Sequence, residues 1–243
     1  DFIRRREPHI EAVAALWSPS TGIIEAEAFV RALAREALEL DVMLLPGTPI
    51  TRGTPTESGF EVVTTRETFS ATLLVNAAGL YADDVSAAVG GEPLTIYPIR
   101  GEYAELVPNK RHLVHMPVYP LPDPGGHSLG VHLTPTTWGS VMVGPTARLM
   151  SSKDDHESDR VPLAQFCQDV RRLLPSVELE DLRLGGTGFQ ARLSRPEEPV
   201  VDFLIRPDRR CPQLIHAAGI SSPGLTASLA IGATVRDLVE DVL

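Results

Sequence analysis

The segment that most restricts what this chain can fold into lies near its C-terminus, QLIHAAGISSPGLTASLAIGATVRDLV. An apolar run from Gln213 to Ala217 reads as a strand, a stretch of small residues follows, and a helix is expected from about Leu225 to Val242. Gly219 and Gly224 permit close backbone approach, and Pro223 sets the entry to the helix. The loop Gly219, Ile220, Ser222, Pro223, Gly224, Leu225 and Thr226 thus leads into a helix start with unpaired N–H groups and the positive end of a dipole. Such a start suits an anionic group, whether a phosphate or the electron-rich edge of a flat ring. Ala227, Ser228 and Ala230 keep the first turns slim enough to lie beneath such a ring. An ordinary capped helix packed closely on a sheet accounts for the same residues, and both readings stay open at this point.

A second segment, LLVNAAGLYADDVS, repeats the pattern. Thr72 to Val75 reads as a strand covered on both faces, and it discharges into Ala77, Ala78 and Gly79 before a helix from Ala82 to Val89. Small residues there leave the crevice at the strand's carboxyl end clear, where open α/β sheets bind ligands. Tight helix–strand packing is the competing explanation. Elsewhere the periodicity predicts helices over residues 25–40 and 161–174, and strands over Val42 to Leu45, Phe60 to Thr64 and Pro199 to Ile205. Between Thr95 and Val143, short β-like runs alternate with Pro/Gly turns, as in an antiparallel or mixed sheet. The stretch SSKDDHESD reads as a solvated connection. The order is therefore α/β, a β-rich insert, then α/β again.

Composition limits the function classes. With 43% hydrophobic and 22% charged residues the chain has the balance of a globular protein, and a net charge of -10 disfavours nucleic acid as a partner. No run approaches the ~20 apolar residues of a membrane span. A charged opening without an apolar run gives no signal peptide, so a cytoplasmic location is expected, with peripheral membrane association left open. Cys167 and Cys211 form neither a disulfide framework nor a metal-ligand spacing. His112, His115 and His127 lie in a Pro-rich region without a completing carboxylate or thiol, and no metal is expected. Those three read as surface or loop histidines, and His9, His156 and His216 likewise have only weak claims to a role.

Eight strings in order carry a family resemblance: EPHIEAVAALWSPSTGII, LLVNAAGLYADDVS, PIRGEYAEL, VYPLPDP, LGVHLTP, GSVMVGP, GTGFQARLSRP and SSPGLTASLAIG. On these the chain resembles the D-amino-acid-oxidase-like FAD oxidoreductases, within them the L-2-hydroxyglutarate dehydrogenase/oxidase branch. The resemblance implies a partial FAD-binding α/β domain interrupted by a mixed or antiparallel β-sheet substrate domain. Residues 1–22 would supply a substrate-domain strand and a flavin-proximal loop, 23–92 and 196–243 parts of the FAD domain, and 93–195 the β-rich substrate domain. It also implies oxidation of a 2-hydroxy acid by hydride transfer to flavin N5. The electron acceptor is open among oxygen, a quinone and an electron-transfer protein. Amine, amino-acid or glycerol-3-phosphate oxidation, or a non-catalytic fragment, are the alternatives on the same fold. Family members open with a GxGxxG turn for the FAD pyrophosphate. The nearest candidate here, Gly185-Gly186-Thr187-Gly188, precedes an expected strand, so the anchoring unit is expected upstream of Asp1.

Removing the hydroxyl proton of such a substrate requires a base, and its carboxylates require cationic or hydrogen-bonding groups. His132, in LGVHLTP, is the candidate base, because an imidazole accepts a proton at neutral pH, and the match to the family's GVH string favours this over a hydrogen-bonded structural histidine. Arg100 is a candidate carboxylate ligand, with a scaffold ion pair to Glu102 or Glu105 as the rival reading. Tyr119 is a candidate donor to substrate, with a plain packing tyrosine as the rival reading. Gln190 and Arg192 lie in GFQAR, where relatives carry a substrate-proximal GxR-type string whose arginine stands two places earlier. By resemblance, Thr21 and Gly22 form a loop near the flavin and Ile50 touches the adenine through its backbone.

Overall fold

The computed structural model describes residues 1–121 and 130–243. Its helices are α1 (Phe2–Arg6), α2 (Ala26–Glu39), α3 (Ala82–Ala88), α4 (Leu163–Val170) and α5 (Gly224–Val242). The strands are β1 (Ile50–Thr56), β2 (Gly59–Thr64), β3 (Thr68–Ala71), β4 (Leu74–Asn76), β5 (Tyr97–Leu106) and β6 (His132–Pro135). Five more follow: β7 (Val141–Gly144), β8 (Arg148–Leu149), β9 (Leu182–Arg192), β10 (Leu204–Pro207) and β11 (Leu214–Ala218). The chain divides into two compact units, one of residues 1–35, 100–148 and 154–188, the other of 36–99, 149–153 and 189–243. The class is mixed α and β, and the described strands form no closed barrel.

The first unit is organised on a five-stranded sheet with strand order β6-β7-β5-β8, in which β6 and β5 run antiparallel to β7, and β9 pairs with β5. Apolar residues of β5, β6 and β7 point alternately inward, where Leu106, Leu133 and Val143 meet Phe166 and Val170 of α4. These side chains are fully buried, and helix α4 forms because Phe166, Cys167 and Val170 fall on one face that this sheet covers. The Gly185-Gly186-Thr187-Gly188 run lies inside β9 itself, which agrees with its failing as a phosphate turn.

In the second unit, β1, β2 and β3 form an antiparallel meander, and β10, β11 and β4 form a separate sheet. Phe60, Val62, Val89 and Leu214 make one small core there, while Ala82, Ile96, Ala191 and Ala218 make another. Strand β11 runs antiparallel to β10 and parallel to β4, in the register Leu214↔Leu74, Ile215↔Val75 and His216↔Asn76.

Several expectations need correction. Val42 to Leu45 is irregular and exposed, because its four apolar residues find no neighbouring strand among the described residues. The strand expected at Thr72 begins at Leu74, and at the edge of its sheet Val75 is exposed, so this run is not covered on both faces. The strand expected from Pro199 starts only at Leu204. Helix α2 follows its periodicity, but Val30, Leu33 and Leu38 on its apolar side stay exposed. The SSKDDHESD stretch is pinned instead of loosely solvated. Lys153 donates to Asp83 and Asp84 at 2.6 and 2.7 Å, and the Asp155 and Ser158 carbonyls accept from Arg100.

Candidate functional site

Parallel pairing of β4 with β11 brings two predicted ligand loops to one edge of one sheet. Parallel strands discharge their chains in the same direction, about 4.8 Å apart, so the turn after Asn76 and the loop after Ala218, two residues past the Asn76 partner His216, emerge at the same edge. Gly79 has φ 56°, and a Cβ added there would meet nothing within 4 Å, so the first turn is open. Gly219 has φ 67°, and a Cβ would lie 2.4 Å from Leu193 Cγ. Only glycine fits that position.

The loop then enters α5 with its donors facing outward. Pro223 stands at the N-cap and has no N–H, the Gly224 amide donates to Ser221 O, and Ala227 donates to Pro223 O. The amides of Leu225 and Thr226 have no acceptor among the described residues. Ser222, Pro223, Leu225 and Thr226 are all exposed, so their side chains leave the helix start accessible.

Directly beneath these loops lies a buried polar network. His216 is fully buried, and its Nε2 lies 2.8 Å from Asp208 Oδ2. Its Nδ1 faces Asn76 Nδ2 at 3.4 Å, and that same amide nitrogen donates to Ala82 O at 2.7 Å. Asn76 Oδ1 accepts the Ala78 amide. Asp208 also accepts the backbone amides of Glu92, Arg210 and Cys211. Burial acts to raise the Asp208 pKa, but the hydrogen bonds from Glu92, His216, Cys211 and Arg210 outweigh it and hold the carboxyl at about 2. His216, which had only a weak claim on sequence, is thus the centre of this network.

In the other unit, a cavity of about 180 Å³ is lined by Thr21 and Gly22 together with Tyr119, Thr134, Thr137 and Trp138, among others. The Tyr119 ring stacks on His132, with centroids 4.3 Å apart and planes inclined by 26°. His132 is buried, and its Nδ1–H donates to the Gly130 carbonyl at 3.0 Å, which leaves Nε2 as the proton-accepting nitrogen. Burial lowers its pKa below the ordinary value, against the pull of the Gly130 hydrogen bond. Tyr119 lines the cavity, whereas His132 is not among the lining residues. Burial, reinforced by the nearby Tyr119, raises the pKa of Tyr103.

Arg100 does not serve as a free carboxylate ligand. It is fully buried, with Nε and Nη2 on Glu102 Oε1 at 3.2 and 2.8 Å and the remaining donors on the Asp155, Ser158 and Asp159 carbonyls. With its fork saturated, Arg100 is part of the scaffold. Gln190 and Arg192 share one face of β9, and Arg192 Nε donates to Gln190 Oε1 at 3.3 Å. Ile50 packs its side chain against the Phe60 core. Among the other histidines, His115 sits 3.4 Å from the buried Glu7, His9 touches His112 edge to face, and His156 meets Thr187. His127 lies outside the described residues.

A family model described as FAD dependent oxidoreductase matches residues 1–238. The chain belongs to the FAD-dependent oxidoreductases. It is similar to an L-2-hydroxyglutarate dehydrogenase of Indibacter alkaliphilus, 29% identical over 97% of this chain and 67% of that one. It is similar also to a glycerol 3-phosphate dehydrogenase of Caloramator mitchellensis, 29% identical over 94% of this chain and 46% of the other. Among solved structures, L-proline dehydrogenase from P. horikoshii superposes with a TM-score of 0.81 at 21% identity, over 99% of this chain and 63% of that one. The chain thus spans about two thirds, or less, of the proteins it matches.

FAD is the cofactor of the family, and the residues of this FAD-dependent oxidoreductase fit it. The Leu225 and Thr226 amides supply donors for an anionic group, and the open Gly79 turn leaves space beside them. No described helix is long and apolar enough to cross a membrane. Sequence reasoning missed Asn76, Asp208 and Glu92. The signal available for Asn76 was its place at the end of an apolar strand immediately before Ala77 and Ala78.

Proposed function

We propose that the protein oxidises a 2-hydroxy acid of the L-2-hydroxyglutarate type with FAD. The second unit, with its paired loops, is assigned to the cofactor, and the cavity-bearing unit to the substrate. One observation carries the chemical assignment: the Gly130 hydrogen bond fixes His132 in the tautomer whose Nε2 accepts a proton, and burial keeps that imidazole neutral. His132, stacked on the cavity-lining ring of Tyr119, is assigned to take the substrate hydroxyl proton. FAD, when bound, supplies the acceptor for the C2 hydride. Among the described residues, those lining the cavity offer the hydroxyls of Thr21, Tyr119, Thr134, Thr136 and Thr137 and no cation, so hydroxyl donors meet the oxygens of a substrate in this cavity. Gln190 and Arg192 are assigned to a carboxylate, and Thr21, Gly22 and Ile50 to cofactor contacts. The small-molecule class and the substrate type rest on similarity to the Indibacter enzyme along nearly all of this chain.

Glycerol 3-phosphate is the second reading, supported by an equally identical relative of which this chain covers the smaller share. Turnover of L-2-hydroxyglutarate, glycerol 3-phosphate and sarcosine by the holoprotein separates them, with an artificial dye or oxygen as acceptor. L-2-hydroxyglutarate is expected to give the highest kcat/KM. Turnover confined to sarcosine or to glycerol 3-phosphate would refute the assignment.

A further inference from the structure

We propose that Asn76 and His216 form a clamp that sets the spacing of the two cofactor loops. The inference rests on the cofactor reading above and assigns positioning residues that no catalytic role requires. The two residues are cross-strand partners at the last register position of the parallel pair β4 and β11. Strand β4 ends at Asn76, while β11 continues on β10 alone for two more residues, to Ala218, before its loop begins. Parallel backbone pairing ends at Asn76, so the bond between the Asn76 amide and His216 Nδ1 is the last side-chain link between the strands before the loops diverge.

The direction of each hydrogen bond follows from the partners. Asn76 Oδ1 accepts the Ala78 N–H and Nδ2 donates to the Ala82 carbonyl, which fixes the orientation of the amide. Its Nδ2 therefore donates to His216 Nδ1, and His216 carries its proton on Nε2, aimed at Asp208. Asp208 in turn is held by the Glu92, Arg210 and Cys211 amides, so it is a rigid anchor and not a mobile counter-ion. Through this chain the Ala77–Ala78–Gly79 turn is tied, by Asn76, to the strand that feeds the Gly219 loop.

Glu92, Asp208 and His216 bring ligand atoms within 4.8 Å of one another, an arrangement that invites a metal. The protonation pattern argues for the clamp instead. Nε2 of His216 bears hydrogen, Asp208 accepts four donors, and Glu92 Oε1 already lies 2.6 Å from Arg206 Nη2. That ion pair falls short of hydrogen-bond geometry, and Glu92 Oε1 otherwise faces His216 Nε2 at 4.0 Å, so among the described residues it accepts no hydrogen bond.

The test uses the intact holoprotein and two substitutions that divide the imidazole's functions. His216→Asn keeps an acceptor near the Nδ1 position and loses the Asp208 bond, while His216→Gln keeps a donor towards Asp208 and loses the Asn76 bond. FAD affinity of the deflavinated proteins is measured by fluorescence titration, with thermal melts of the same samples. The clamp predicts roughly tenfold weaker FAD binding in H216Q and a smaller change in H216N. A purely structural role predicts the reverse order, following stability, and that result would overturn the proposal. In the unaltered protein, nitrogen chemical shifts of the His216 ring are expected to show the Nε2–H tautomer, whatever becomes of the variants. An Nδ1–H tautomer, or zinc or manganese bound at one equivalent with displacement of that proton, contradicts the clamp. Failure of the unaltered holoprotein to hold FAD would instead overturn the cofactor reading on which the clamp stands.

Discussion

Substituting Gly219 by alanine perturbs the loop before α5 in two separable ways. The backbone there has φ 67°, and an L side chain in the left-handed region costs roughly 1–2 kcal/mol. The added Cβ would also lie 2.4 and 2.5 Å from Leu193 Cγ and Cδ1, an overlap that must be relieved by moving a packed leucine. Overpacking of this kind costs typically 1–3 kcal/mol, so G219A is expected to lose about 2–5 kcal/mol in total. Urea unfolding followed by circular dichroism measures the loss, as a fall in midpoint at unchanged m-value. Combining it with Leu193→Ala removes the steric part and leaves the conformational part. The double variant should therefore recover about 1–3 kcal/mol relative to the sum of the single effects. A G219A protein within about 0.5 kcal/mol of the parent would refute the conformational argument, and strict additivity with L193A would refute the steric one.

Three other substitutions probe the remaining sites. Asp208 has its pKa lowered from 3.8 to about 2, so its stabilisation is complete above pH ~4 and is lost as pH falls towards 2. That contribution is on the order of 2 kcal/mol, and Asp208→Asn should flatten the acid limb of a pH–stability curve. An unchanged limb would mean that another carboxylate governs it. For His132, the neutral form is the active one and its pKa is lowered, so kcat/KM should fall only as pH drops below the ordinary histidine range. His132→Gln is expected to reduce kcat/KM by roughly 10²–10⁴ and to abolish that limb, whose persistence would exclude His132 as the base. Arg100→Met breaks a fully buried pair with Glu102 and should cost about 3–5 kcal/mol in urea unfolding. Normal stability with a raised KM alone would restore Arg100 to the substrate site.

Much of the architecture was legible because periodicity reports burial. Helices α2, α3 and α5 and strands β2 and β11 lie close to where the apolar spacing put them. The expected strand at Val42 to Leu45 failed because a short apolar run records the preference of its side chains and not the presence of a partner strand. Strand β1 was missed for the opposite reason. Its ITRGTPT sequence is polar, contains Gly and Pro, and is held by pairing with β2 and not by burial of its own side chains.

The site divided along the same line. Glycines that need positive φ, Gly79 and Gly219, are local requirements and were readable from the loops that contain them. The saturation of Arg100 was not, because Asp155, Ser158 and Asp159 lie 55 to 59 residues away and present carbonyls that carry no side-chain signal. His216 and Asn76 are 140 residues apart, and only the parallel register of β4 and β11 makes them partners.

The central claim is that the amides entering α5 meet the cofactor. Hydrogen–deuterium exchange of the protein with and without FAD measures it at single-residue resolution. The Leu225 and Thr226 amides, unpaired in the free chain, should become strongly protected on binding, together with the amides of residues 77–79. Saturation with FAD that leaves Leu225 and Thr226 exchanging at their original rates would contradict the account.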